Sequence, residues 1–304
     1  GFDHHAMRAS DDPGTGNAGA DIVARAAAEY LHGRAGNARP FYLQVGFHET
    51  HTPYSYGGAS PDDPGSVVVP PYVVDNDAAR HHLAGFKSCL ALADRAVGII
   101  LDALRGAGLE GDTLVVFTAD HSIELPRAKW SLFDAGIEIP MLLRWPGGAL
   151  AGGRTCDQLL SNVDFLPTLM VLLGLPTPDG VEGVSFAPLL LDNAPAPSPR
   201  EAVYAVWGPD HQRCVRTDRY KLIRTYRLCG VHAGPADIEQ PLAYGHTPPI
   251  EFYDPPHDPL EYDNLADGVE AYADHAAAFE LLSDLLDTHL AATRDPIVNL
   301  STAS

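Results

Sequence analysis

The stretch Leu114-Val115-Val116-Phe117-Thr118-Ala119-Asp120-His121-Ser122 decides how this chain is read. A run of apolar residues, mostly β-branched or aromatic, ends abruptly at an acid and an imidazole. Such a run predicts a strand buried on both faces, as found in the middle of a mostly parallel sheet. Ligands of open α/β sheets bind just beyond the carboxyl ends of the strands. An Asp-His pair placed there suits a metal or an anion, since neither side chain is cheap to bury without a partner. Phe41-Tyr42-Leu43-Gln44-Val45-Gly46-Phe47 repeats the design and empties into His48-Glu49-Thr50-His51-Thr52-Pro53. Between the two runs, Leu83, Phe86, Leu90, Val97, Leu101 and Leu104 recur at helical spacing, and Gly106 and Gly108 supply the stop. Strand, helix, strand predicts one right-handed α/β unit.

Further along, Pro140–Trp145 reads as a third strand, and Val163–Leu169 opens an apolar helix that ends at Gly174. The Pro-rich segment Asn193–Pro199 has the composition of a linker. After it, Ala202–Trp207, Gln212–Arg216, Tyr220–Thr225 and Glu251–Tyr253 are short strand candidates separated by turn residues, which suggests a small antiparallel sheet. Ala271–Ala292 should form a helix packed on that sheet through Phe279, Leu282, Leu285 and Leu286. Residues 1–20 and 55–68 read as loops rich in Gly, Pro and Asp. The expected fold is therefore α/β, a mostly parallel sheet flanked by helices, with a smaller C-terminal antiparallel sheet plus helix. The boundary falls near residue 195, giving units 1–195 and 196–304.

Composition narrows the function. With 45% apolar and 20% charged residues in 304, the chain can bury a sizeable core. A net charge of −20 argues against nucleic-acid or anionic-membrane partners. If the substrate is an anion, cations must be concentrated at the site itself. Cys89, Cys156, Cys214 and Cys229 form neither a disulfide framework nor a zinc signature. No run of 18 apolar residues occurs, so no membrane span is expected.

Five segments, in order, carry a resemblance. They are Phe47-His48-x-x-His51-x-Pro53, Val69-Pro70-Pro71-Tyr72, and Thr113–His121. The others are Ala128-Lys129-Trp130-Ser131-Leu132-Phe133-Asp134 leading to Ile139-Pro140, and Phe252-Tyr253-Asp254 followed by Asp258-Pro259-x-Glu261-x-x-Asn264-Leu265-Ala266. Together they resemble a sulfatase of the alkaline phosphatase superfamily, of the sulfamidase and iduronate-sulfatase type. The resemblance implies hydrolysis of a sulfuric ester or an N-sulfate, on a sulfated small molecule or glycan. It implies a divalent metal, usually Ca2+, and a formylglycine made from the Cys or Ser of a Cys/Ser-x-Pro-x-Arg motif. By family habit the compartment is periplasmic, secreted or lysosomal.

None of the four cysteines is followed by x-Pro-x-Arg, and Asp11-Asp12, ahead of Pro13-Gly14, reads as a surface turn rather than the family's metal-binding Asp pair. The expectation is that the formylglycine-bearing N-terminal third lies upstream of Gly1 and that this chain alone is inactive. A phosphate or phosphonate ester hydrolase of the same superfamily, or a non-catalytic sulfated-glycan binding relative, are the alternatives.

By motif, Asp120 and His121 would ligate the metal, a carboxylate oxygen suiting a hard cation better than a ring nitrogen. Lys129 would bind the sulfuryl oxygens, and His51 would serve as general acid, a role imidazole side chains often take. His48 would buttress the turn or touch substrate, Arg127 would be a lesser candidate, and His211 would reach in from the second unit. His81-His82 reads as a solvated helix start, and His4-His5 carries no support. Ser122 departs from the Gly usual in the family, which would allow positive φ. His51, Asp120, His121 and Lys129 are expected to line one cleft, with room for a tetrahedral anion between His51 and Lys129.

Overall fold

The computed structural model describes residues 19–148, 150, 152–191, 198–208, 211–227 and 248–299. His4-His5, Asp11-Asp12, Cys229 and most of the expected linker lie outside the described residues. The first element, α1 (Ala20–Gly33), was not foreseen from sequence, although Ala20, Ala24, Ala27 and Leu31 form one buried helical stripe. It packs on α2 (Asp77–Gly106), the long helix expected between the two apolar runs. Asn76 starts α2 by accepting a hydrogen bond from the Ala79 N–H at 2.9 Å, a cap worth about 1 kcal/mol.

The α/β class holds, with helices and small antiparallel sheets. Of the main sheet the described residues contain β1 (Val115–Thr118) and, after the one-turn α3 (Asp134–Ile137), β2 (Met141–Arg144). These two run antiparallel, with Phe117 opposite Leu142. The expected strand at 41–47 joins no ladder. Its exposure nonetheless alternates residue by residue, and Phe41 and Leu43 pack with Leu31, Leu104 and Val115. The period-two pattern dictates an extended backbone, but a strand also needs a neighbour to take its hydrogen bonds. The same shortage corrects the expectation for β1. Phe117 is 42% exposed and Thr118 is exposed as well, so the strand is not buried on both faces.

The helix expected to end at Gly174 is α4 (Phe165–Leu172), and Gly174 adopts φ 65° just past its end. After the short α5 (Ala187–Leu191) comes the C-terminal sheet: β3 (Val203–Trp207), β4 (Gln212–Arg216), β5 (Lys221–Thr225) and β6 (Ile250–Tyr253), antiparallel and in chain order. Helix α6 (Val269–Ala292) follows. Adjacent residues on these strands face opposite ways. Val215, Leu222 and Phe252 bury against Leu282, Leu286 and Leu290 of α6. Their neighbours Cys214, Ile223 and Tyr253 bury against Leu132, with Phe133 and Ile137 packed alongside. The C-terminal sheet is thus clamped between α6 and the segment that carries Lys129.

Candidate active site

Lys129 sits in a loop held from four sides. Its N–H donates to the Ile123 carbonyl at 3.0 Å, and the Ala128 N–H donates to Leu125 at 3.1 Å. Arg127 and Trp130, on either side, adopt φ of 62° and 65°, a left-handed conformation that costs a side-chain-bearing residue roughly 1–2 kcal/mol. Gly136 makes the close approach possible, since a Cβ there would lie 2.3 Å from the Ala128 carbonyl oxygen. Finally, Glu261 Oε2 accepts from the Asp134 N–H at 2.6 Å, tying the start of α3 to the C-terminal unit. Ser122 is not among the residues at positive φ, so the Gly-to-Ser departure stores no backbone strain.

This scaffold brings Lys129 to His51. The ammonium lies 3.2 Å from His51 Nε2, although 78 positions separate the two residues. His51 Nδ1 is 2.5 Å from the Thr52 carbonyl, which can only accept, so Nδ1 carries the hydrogen. The Nε2 lone pair therefore receives the hydrogen bond from Lys129. His48 stacks on His51 with ring centroids 5.1 Å apart. Burial, together with the neighbouring His51 and Lys129, pushes the His48 imidazole below its ordinary pKa, against a smaller opposing pull from Glu49. The His48 ring is thereby biased toward its neutral form.

Two residues not singled out in the sequence complete the cluster. Glu124 lies 3.5 Å from the Lys129 ammonium and accepts from the Thr52 hydroxyl at 2.6 Å. Burial opposes its charge, but the Thr52 hydroxyl, Lys129 and His51 outweigh it and hold the carboxyl below the usual glutamate range. Trp130 leaves its ring exposed, with the Lys129 ammonium 5.0 Å from its centroid. Glu124 carries no sequence signal of its own, and its partnership depends on a contact across 72 positions.

The expected convergence is only partial. Lys129 and His51 meet directly, leaving no anion-sized gap between them. Asp120 and His121 stand at the end of β1, where the Asp120 side chain is 86% exposed and accepts from the His121 N–H at 2.9 Å. A calcium ion takes six to eight oxygen ligands. Among the described residues no group of three or more His, Cys, Asp or Glu is placed to hold a metal, so these residues do not amount to a calcium site. Arg127 is turned toward the segment around Leu260 and Glu261. It is buried, donates to the carbonyls of Leu260 and Glu261 at 3.0 and 2.7 Å, and lies 3.8 Å from the Phe133 ring centroid. His211 lies in the β3–β4 turn, edge-on to Trp207 at 4.6 Å.

The sulfatase family model matches residues 4–175, over half of the chain, and a model described as the C-terminal part of N-sulphoglucosamine sulphohydrolase matches residues 128–233. This chain belongs to the sulfatase family. Among curated relatives, the sulfatase is 34% identical to arylsulfatase A of Bos taurus over 259 residues, 78% of this chain and 46% of that protein. It is 32% identical to N-sulphoglucosamine sulphohydrolase of Homo sapiens over 163 residues, 46% of this chain and 32% of that protein. A solved structure from work on the metabolism of multiple glycosaminoglycans by Bacteroides thetaiotaomicron shares its fold. The TM-score is 0.70 at 24% identity, over 91% of this chain and 60% of that one. The sulfatase chain therefore spans about half, or less, of the length of the curated relatives it matches. No helix among its described residues is long and apolar enough to cross a membrane.

Proposed function

We propose that this chain forms the C-terminal part of a formylglycine-type sulfatase that cleaves a sulfuric ester or an N-sulfate of a sugar or aryl compound. The contact of Lys129 with His51 carries this reading, because it concentrates a buried cation and an imidazole at one spot in a chain of net charge −20. Sulfuryl transfer needs positive charge at the sulfuryl oxygens and a proton for the departing oxygen or nitrogen. Lys129 supplies the first. An arriving sulfate takes up the ammonium and releases His51 Nε2, which takes a proton from solvent and passes it to the departing oxygen or nitrogen. His48, biased toward neutrality, keeps that proton on His51. The exposed Trp130 ring offers a flat surface for the sugar or aryl ring next to the bound sulfate.

Formylglycine, the attacking group in this chemistry, has no source within these 304 residues, which contain no Cys/Ser-x-Pro-x-Arg motif. Among the described residues, Asp120 and His121 are the donors that this reading would turn toward a calcium ion. Residues 1–195 are read as part of the catalytic α/β unit and 196–304 as a C-terminal α+β subdomain. A periplasmic, secreted or lysosomal compartment fits the relatives. The test compares aryl sulfate with aryl phosphate hydrolysis by the protein from the full reading frame in which these residues lie. Sulfate should be the faster substrate, Lys129→Ala should lower its turnover on the order of a hundredfold or more, and the 304-residue chain alone should show none. Full sulfatase activity in Lys129→Ala would refute the assignment.

A further inference from the structure

We infer that Glu49 is a positioning residue of the candidate site: its buried carboxylate, docked on the first turn of α1, holds the His48–His51 turn where His51 reaches Lys129. The inference rests on the reading of His51 as the proton donor. The turn closes through the His51 N–H, which donates to the His48 carbonyl at 3.0 Å. Within it the side chains divide: Thr50 and His51 are exposed, whereas Glu49 is fully buried. Glu49 Oε1 accepts from the Ala20 N–H, one of the donors that the first turn of a helix leaves without an intrahelical partner. Gly19, the cap residue of α1, has no side chain to serve that end, and a carboxylate suits the positive pole of the helix dipole. Phe47, just before the turn, packs with Ala20, Ala24 and Ala96, so the anchor is made on α1 and α2 together. The space is cut to the carboxylate, since a Cβ on Gly57, which adopts φ 61°, would lie 2.9 Å from Oε1. Oε2 is closed to water and, among the described residues, has no hydrogen-bond partner, which destabilises the fold. An uncompensated buried group calls for a reason beyond stability. His51 supplies one: a shift of about 1 Å in the turn would end the 3.2 Å contact of Nε2 with Lys129 and move the proton donor off the leaving atom.

Turnover of phenyl sulfate and para-nitrophenyl sulfate by the protein from the full reading frame tests this, below the melting transition of every variant. Phenoxide is the poorer leaving group and depends on a proton donor, whereas para-nitrophenoxide leaves almost unaided. Glu49→Ala should lower kcat for phenyl sulfate on the order of a hundredfold and for para-nitrophenyl sulfate by less than about tenfold, with KM nearly unchanged. Glu49→Gln, which keeps an oxygen for the Ala20 N–H, should recover most of the loss. Gly57→Ala displaces the carboxylate without removing it, should show the same selectivity for leaving group, and decides the matter if Glu49→Ala does not fold. Leu31→Ala, at the far end of α1, should lower the melting temperature and leave the ratio of the two esters as it is. An equal loss for both esters in Glu49→Ala, or in Gly57→Ala standing in for it, while His51→Ala shows the selective loss, overturns the inference and leaves the reading of His51 intact. If His51→Ala itself shows no selective loss, or the unsubstituted protein hydrolyses neither ester, that reading fails and takes the inference with it.

Discussion

Lys221→Met should unfold the chain at a markedly lower temperature. Lys221, on β5, is completely buried, and its ammonium lies 2.6 Å from Glu261 Oε1 and in contact with Asp134 Oδ1. It also donates to the Leu132 carbonyl at 3.2 Å. Burial opposes its charge, but Glu261, the Cys214 thiol and Asp134 outweigh that and hold the amine above the usual lysine range. Methionine fills the same volume and removes the charge. Asp134 would keep Arg216 at 3.6 Å, so the uncompensated charge falls on Glu261, which has almost no access to water. Breaking a buried pair in this way costs about 3–5 kcal/mol. The retained Arg216 contact puts the expectation at the lower end, about 3 kcal/mol, or a fall in melting temperature of roughly 5 °C. Scanning calorimetry of both proteins at pH 7 measures it. Adding Glu261→Gln should restore about half of the loss, because glutamine keeps the acceptor for the Asp134 N–H and carries no charge. A loss below about 1 kcal/mol in the single variant would mean that water reaches this cluster, and the clamp on the Lys129 loop would lose its electrostatic basis.

Glu251, buried on β6, gives a pH-dependent expectation. Burial pushes its carboxyl up to about 7, with the Tyr253 hydroxyl and Arg127 pulling the other way. A carboxyl harder to ionise in the folded state stabilises the fold fully below its unfolded value near 4.5, and that contribution fades as pH rises through 7. Urea unfolding should therefore show about 3 kcal/mol less stability from this group at pH 8 than at pH 4, and Glu251→Gln should abolish that difference. An identical pH profile in the variant would contradict the assignment. Calcium titrated into the 304-residue chain should give no saturable heat below about millimolar concentration, since among the described residues Asp120 and His121 are too few donors and have no further carboxylate placed with them. Micromolar binding abolished by Asp120→Ala would show instead that this chain holds the metal unaided.

Local pattern alone determined many of the elements of this protein, though not α1 or a strand at 41–47. The helical spacing of Leu83 to Leu104 became α2, and the four short runs after residue 200 became β3 to β6 in order, with α6 behind them. The five motif segments were enough to place the chain among the sulfatases. These features were legible because periodicity and motif chemistry act over a few neighbouring residues. What lies next to what was decided by the tertiary structure. The alternation of 41–47 dictated an extended chain, yet ladder hydrogen bonds require a partner that no local pattern specifies. The apolar character of Phe117 called for burial, yet burial is a property of the surrounding segments. The same reason divides the candidate site: His51 and Lys129 could each be named from their motifs, whereas Glu124 joins them only because the fold carries Thr52 and Lys129 to it. Arg127 and Lys129, two positions apart, received opposite tasks, because the loop twists one toward the buried C-terminal unit and the other toward His51.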